Sequence, residues 1–586
     1  MRQTIYRWAP TLYACSMAIL MLGYVRYDPY QIDGDAVSYM DIASAMLHGR
    51  WHDVVNGLWN PGYPALLALG KMISHANRMH ELQVFYWVNY FIFLGSIACT
   101  AFFVRALLHV RNICTDERPN PMAWAVSDPL LYVAAYSVVL YSWQQEFSFG
   151  KIRVDGLFAS LLLLAFGCLL RAAFTGSRVC SVGMGLSLGL AYLVKSPGVV
   201  FAGMAFFVLI AIIVMQPHAY HAKRKVLLAV IVFGVVVAPY ITALSIQKGR
   251  FDWGDSGKLN YAWHISGTQP MHLLNNQQWR FGSANVHLKH PEIEILSDPV
   301  VVYIPHFPHV TYGSWFDPSY SNDGVHPVFR IKDQLRSSLR QSRHMFRFMI
   351  VHSMLLAFLL VIFVYGMQAV QVFLLRQILI LFCAVFVFSC FMYVSVHFED
   401  RYVSGAFWIA WIAVMGLLIA PNGDEKSLYL TQGATIFLAI TILMLGVQAI
   451  TKARENAIMS NTYSGWYNAE IYNSVSQLAR YGVPSGSEVA CFEACKGDHY
   501  WARLASVHIT SEIYDLRYMP DGESPNQIWN GLPNKPAVYA ALRSVGAKGI
   551  VGLFDDPPPA TEGWQRLAGH YYWMPLTQIA SRDSTP

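Results

Sequence analysis

Ala9 to Val25, APTLYACSMAILMLGYV, is a membrane-length apolar run, and Gln31-Ile32-Asp33-Gly34-Asp35-Ala36-Val37-Ser38-Tyr39 follows it almost at once. The first stretch predicts a helix that crosses a bilayer, whose core of roughly 30 Å takes about 20 apolar residues. The second places two acids where that helix leaves the membrane. Arg2 and Arg7 precede the apolar run, and no small-residue cleavage site closes it before Arg26 and Tyr27, so it is expected to stay as a signal anchor.

The rest of the chain agrees. Of 586 residues 55% are hydrophobic and 13% charged, where a soluble domain carries roughly 25% charged residues. The template of one apolar helix per span matches about eleven segments: 9–25, 82–108, 128–146, 156–172, 181–196, 198–216, 226–246, 346–368, 371–396, 403–420 and 430–450. Two long apolar stretches are divided in this count, one of them at Lys195-Ser196-Pro197-Gly198. With the N-terminus inside, Arg105, Arg111 and Arg118, then Arg171 and Arg178, then Lys223-Arg224-Lys225 fall on the cytoplasmic side, as the positive-inside bias requires. The net charge of +6 is spread over short loops rather than a stripe, so no nucleic-acid partner is expected.

The fold class is therefore mainly α: a polytopic membrane domain over residues 1–450 with outer loops 26–81 and 247–345, and an extracytoplasmic domain over 451–586. Within the first outer loop, Ala43-Ser44-Ala45-Met46-Leu47 and Ala65-Leu66-Leu67-Ala68-Leu69 are too short to span and are expected to form amphipathic helices along the interface. In the tail, β-like runs (488–492, 547–554) alternate with helical ones (469–481, 536–545), the pattern of a small α/β domain. Five of the nine cysteines lie in apolar segments as small buried hydrophobes. Cys491 and Cys495 flank Phe492-Glu493-Ala494 in the outer tail and are placed for a local disulfide; with His499 they supply too few ligands for zinc.

Three groups of residues carry potential chemistry. Asp33 and Asp35 can serve as a general base at the membrane surface, Asp33 being preferred as the nearer to the membrane exit. Lys195 stands where Pro197 interrupts an apolar stretch, and Arg153 lies at the mouth of the fourth span, where a local pair with Asp155 is the plain alternative. His397-Phe398-Glu399-Asp400-Arg401-Tyr402 forms a charged knot between two apolar segments, with Arg401 suited to phosphate oxygens. Trp59, Tyr63 and Trp315 are candidate sugar-facing aromatics, with anchoring at the interface as the alternative, and Tyr39 is a candidate substrate-binding residue. No Gly-rich phosphate loop, no His-Glu-x-x-His helix and no Gly-x-Ser-x-Gly elbow is present, so ATP-driven transport, zinc proteolysis and serine hydrolysis lack their usual carriers.

Asp33-Gly34-Asp35-Ala36-Val37-Ser38-Tyr39 with Asn60-Pro61-Gly62-Tyr63-Pro64, Leu190-Ala191-Tyr192-Leu193-Val194-Lys195-Ser196-Pro197, and Phe398-Glu399-Asp400-Arg401-Tyr402 together resemble the GT-C superfamily of polyprenyl-phosphate-dependent glycosyltransferases. The likeness is to bacterial relatives of the protein O-mannosyltransferases and the aminoarabinose transferase of lipid A. It implies an integral protein of the bacterial plasma membrane that works on the extracytoplasmic side. Such an enzyme moves a sugar from a polyprenyl-phosphate donor to a hydroxyl of a lipid, glycan or protein acceptor, with inversion. By the same resemblance Asp33 or Asp35 would activate the acceptor, and Lys195 with Arg401 would hold the lipid phosphate; the sequence leaves a divalent metal open. Asp-Gly-Asp departs from the commoner adjacent acids, which leaves open which Asp is the base. A transporter or flippase, or a membrane-anchored scaffold with a binding tail, are the alternative classes.

Overall fold

The computed structural model describes residues 2–116, 122–215, 222–266, 288–351, 373–417, 419–421, 442–443, 446–455, 458, 468–495, 497–514 and 524–576. Among them, five helices are long and apolar enough to cross a membrane: Trp8–Tyr27, Glu81–Cys114, Asp155–Thr175, Arg224–Lys248 and Leu374–Val394. Arg178–Val194 and Gly198–Val214 are shorter apolar helices. Asp128–Gln145 and Asp400–Leu417 are further helices of the bundle, the latter buried from Val403 to Leu417. Most of the expected spans 346–368 and 430–450 lies outside the described residues.

Local chemistry sets the breaks that matter. Pro197 has no N–H and disfavours helical backbone before it, so the helix Arg178–Val194 ends with Lys195 extended (φ −154°, ψ 128°) and the next begins at Gly198. The carbonyl that this break frees on Tyr192 accepts from Asn60 Nδ2 at 2.7 Å, and Ser196 Oγ donates to Asn60 Oδ1 at 2.7 Å. A Cβ on Gly62 would stand 2.7 Å from the Leu193 carbonyl oxygen. Only glycine lets the 26–81 loop come this close to the break.

That loop holds two helices of different character. Gly62–Ser74 is amphipathic as expected, burying Tyr63 and Leu67 while Met72 and Ile73 stay exposed. Gly34–Leu47, expected to lie along the interface, is instead buried at eleven of its fourteen residues. Its outer face is covered by the segment around Trp315 and by the C-terminal domain.

The C-terminal domain is built on a seven-stranded sheet. In chain order its strands, with those of a small two-stranded sheet elsewhere, are β1 (Met122–Ala125), β2 (Ile293–Ser297), β3 (Val300–Tyr303), β4 (Ile419–Pro421), β5 (Glu488–Phe492), β6 (His508–Tyr514), β7 (Gly549–Leu553), β8 (Gln565–Ala568) and β9 (Tyr571–Pro575). β1 pairs with β4, and the large sheet runs β2-β3-β6-β5-β7-β9-β8 with β6, β5 and β7 parallel. The hairpin β2–β3 comes from the 247–345 loop and adds to β6 in antiparallel register, Val300 opposite Tyr514. Phe492, Trp529, Phe554 and Trp564 pack edge to face beneath the sheet. Cys491 and Cys495 are joined in a disulfide.

One arginine pins this domain to the membrane part. Arg503 is fully buried; its Nε and Nη1 donate to Glu81 and Asp41 at 2.6 Å, and its Nη2 donates to Ser44 and Glu81 at 2.9 Å. Lys71 adds a second cation on Glu81 at 2.6 Å. Asp41 also accepts from the Thr311 amide at 2.7 Å and hydroxyl at 2.9 Å. The tail, the helix Gly34–Leu47 and the loop leading to Trp315 thus meet at a single carboxylate.

Candidate active site

Asp33 caps the helix Gly34–Leu47: its Oδ1 accepts from the Ala36 amide at 3.1 Å, satisfying an otherwise unpaired N–H of the first turn. Its Oδ2 takes an ion pair from Arg153 at 2.9 Å. Asp35, one residue inside the helix, accepts from Trp315 Nε1 at 3.1 Å and faces a cavity of about 290 Å3. Burial and the neighbouring Asp33 charge raise its carboxyl to about 6, against the pull of Arg401 and Arg153.

The same cavity is lined by Tyr39, Trp59, Lys195, Trp263, Trp315 and the His397 to Tyr402 knot. Lys195 Nζ lies 2.7 Å from Asp155 Oδ1 and 4.0 Å from the centre of the Tyr402 ring. Arg401 Nη1 reaches Asp155 Oδ2 at 3.5 Å, its Nε donates to Glu399, and its Nη2 donates to the Tyr402 hydroxyl at 3.3 Å. Asp155 is almost wholly buried and holds both cations side by side. An ammonium has three N–H donors and a guanidinium five, so each keeps donors for a ligand oxygen.

His397 Nε2 donates to Glu399 at 3.1 Å, since a carboxylate only accepts. Burial opposes ionisation of Glu399, but His397 and Arg401 hold its carboxyl well below the ordinary glutamate range. The His397 ring stacks on His264 with centroids 4.1 Å apart, and burial together with His397 and Arg340 pushes His264 down to about 4. Among the described residues, His397 Nδ1 and Trp263 Nε1 are buried without a hydrogen-bond partner. Buried polar atoms are ordinarily paired.

A second cavity of about 210 Å3 adjoins the first and shares Lys195, Ser196, Ser256, Asn260, His397 and Tyr402 with it. Its remaining wall is largely apolar, including Val199, Val200, Met392, Tyr393 and Val396. The first is the more polar of the two, and Lys195 lines both.

No protein-family model matches the chain, and no curated protein matches its sequence. Two crystal structures of ArnT from Cupriavidus metallidurans are similar to it in fold. The apo state covers 97% of both chains at a TM-score of 0.48 and 10% identity, and the form bound to undecaprenyl phosphate covers 97% of both at 0.41 and 11%. What the site can do follows from its own side chains.

Of the residues singled out in the sequence, Asp35, Tyr39, Lys195, His397, Glu399, Arg401 and Tyr402 come together on the cavity. Three take other places. Asp33 is engaged as cap and ion-pair partner beside the cavity. Arg153 pairs with Asp33 rather than with Asp155. Tyr63 is fully buried, donating to Asn89 Oδ1 at 2.8 Å and packing edge to face under Tyr39, so it supports the wall instead of facing a sugar. Asp155, Trp263 and His264 are site residues that the sequence reading passed over. Asp155 had a signal, as a lone acid opening an otherwise uncharged helical turn. The other two lie in a short helix, Ser256–His264, of an outer loop without periodicity. Among the described residues no three His, Cys, Asp or Glu side chains form a group that could hold a metal ion.

Proposed function

We propose that the chain is a membrane glycosyltransferase that moves a sugar from a polyprenyl-phosphate donor to an acceptor hydroxyl at the membrane surface, with inversion. One observation carries the reading: a base of raised pKa and a pair of cations meet at one cavity, and Lys195 lines both it and a more apolar neighbour. An isoprenoid phosphate has this two-part chemistry. Its phosphate would meet Lys195 and Arg401 while the first isoprene units lie along Val199, Met392 and Val396.

Asp35 takes the proton of the acceptor hydroxyl as its oxygen attacks the anomeric carbon; the bond from that carbon to the phosphate oxygen breaks on the opposite face. The negative charge that grows on the departing phosphate is met by cations already held in place by Asp155, so little reorganisation is needed. Trp263, with its unpaired Nε1, and the neighbouring Trp315 ring (centroids 6.2 Å apart) supply a face and a donor for the sugar. Asp35 rather than Asp33 is the base in this scheme. A carboxyl near 6 is ionised at neutral pH yet a stronger proton acceptor than an ordinary aspartate.

The test is transfer of radiolabelled sugar from a polyprenyl-phosphate donor by the purified protein; no transfer to any membrane extract overturns the reading. Its pH profile has a stated sign. The base must be ionised, and its pKa is raised, so the rate falls as pH drops through about 6. Binding is measured separately: Lys195→Gln weakens undecaprenyl phosphate by about thirtyfold or more in a fluorescence titration, as loss of one partner of a buried charge pair does. Unchanged affinity removes Lys195 from the phosphate site.

A further inference from the structure

The helix Ile331–Val351 presents three faces. At 3.6 residues per turn, Ile331, Leu335, Leu339, Phe346 and Ile350 fall within an arc of roughly 100°, and all five are exposed, from 55% at Leu335 to 70% at Leu339. Lys332, Arg336, Arg340, Arg343 and Arg347 fill the next arc of roughly 80° by the same geometry, and they too are exposed. The third face is buried, with Ser337, Gln341 and Phe348.

The buried face ties the helix to the site. Gln341 Oε1 accepts from the Phe398 amide at 3.1 Å, inside the charged knot. Gln334 Nε2 donates to the Ser395 carbonyl at 2.7 Å, and its Oε1 accepts from Tyr261 of the helix that carries Trp263 and His264 at 2.8 Å. Phe348 packs edge to face on Phe398 and Phe407. The exposed arcs therefore stand at a fixed position beside the cavity.

Water satisfies the cationic arc and penalises the apolar one; hydrocarbon does the reverse. The two side by side are satisfied together at a bilayer surface whose headgroups are anionic. The helix carries five Lys or Arg against one acid, Asp333, which lies 4.0 Å from Arg330 and Arg336, so its charge is not neutralised from within.

We propose that Ile331–Val351 is an anionic-lipid-binding edge, which seats its apolar arc in the leaflet and gathers phosphate-bearing headgroups along Arg336, Arg340 and Arg343 beside the mouth of the cavity. The occupant is a membrane phospholipid with net negative charge. It is distinct from the isoprenoid phosphate assigned to Lys195.

The test uses the full chain reconstituted in vesicles of two parts phosphatidylcholine to one part phosphatidylglycerol, then extracted in detergent, with retained lipid quantified by native mass spectrometry. The parent retains phosphatidylglycerol about fivefold or more above the vesicle ratio, the scale of a few cations near an anionic surface. Arg336→Gln/Arg340→Gln/Arg343→Gln returns to the vesicle ratio. Retention by the parent at the vesicle ratio, or equal enrichment by the triple variant, overturns the proposal. High salt tests the unaltered protein and so covers a triple variant that fails to fold: enrichment that survives it undiminished also overturns the proposal. A detergent dimer that the triple variant dissociates, with no lipid preference, assigns the face to a second copy instead. None of these readouts depends on sugar transfer, so failure here leaves the proposed activity standing, and the converse.

Discussion

Replacing Asp35 by Asn lowers sugar transfer by about a thousandfold, within the 10²–10⁴ that a positioned base supplies. The asparagine keeps the size of the side chain and an acceptor for Trp315 Nε1, so binding of undecaprenyl phosphate stays within about twofold, and the loss falls on kcat. Asp33→Asn behaves differently. Asparagine caps a helix as well as aspartate does, so Gly34–Leu47 keeps its start, but Arg153 loses its partner. The change removes a negative neighbour that raises Asp35 and frees a positive one that lowers it. Both act in one direction: the acid limb of the rate profile moves below about 6, with activity retained. Full activity in Asp35→Asn and loss in Asp33→Asn would exchange the two roles.

Arg503→Met destabilises the protein by about 3–5 kcal/mol, the cost of removing one partner from a buried charge network. The methionine fills much of the volume but leaves Asp41 and Glu81 buried, with Lys71 still paired to Glu81 and Arg78 nearby. Arg503→Lys recovers only part of this, because an ammonium cannot reproduce the planar fork that reaches Asp41, Glu81 and Ser44 together. Thermal unfolding in detergent measures both. A methionine variant as stable as the parent would show that the tail is held on by its apolar contacts alone.

The parts that were legible in the sequence are those whose signal is local. Pro197 beside a lone lysine in an apolar stretch marks a helix break and a buried charge, and the structure has both there. The crowded polar knot from His397 to Tyr402 likewise stands on the cavity. What was not legible depends on partners far along the chain. Arg153 and Asp155 are two residues apart and invite a pair, yet each has a better-placed partner from another element, Asp33 and Lys195. Asp33 and Asp35 are two residues apart, which turns one to the cap and the other to the cavity; spacing names both and ranks neither. The burial of Gly34–Leu47 was missed for the same reason, since its cover comes from residues near 315 and 503. The hairpin β2–β3 is a short Val-rich run inside an irregular loop, and its partner β6 lies about 200 residues on. Only the completed sheet makes it a strand.

That separation has a consequence for synthesis. At about 5–20 residues per second, β3 leaves the ribosome about 10–40 s before β6 exists to pair with it, and the apolar helix Leu374–Val394 is made in the interval. The Val300 to Tyr303 edge is then a bare row of amides and carbonyls, the kind of template that recruits the wrong strand. The hairpin therefore waits for β6, and the same late stretch of chain carries Arg503, the partner of Asp41. Chains stalled or cut before β6 leave β3 without its partner strand and Asp41 without Arg503.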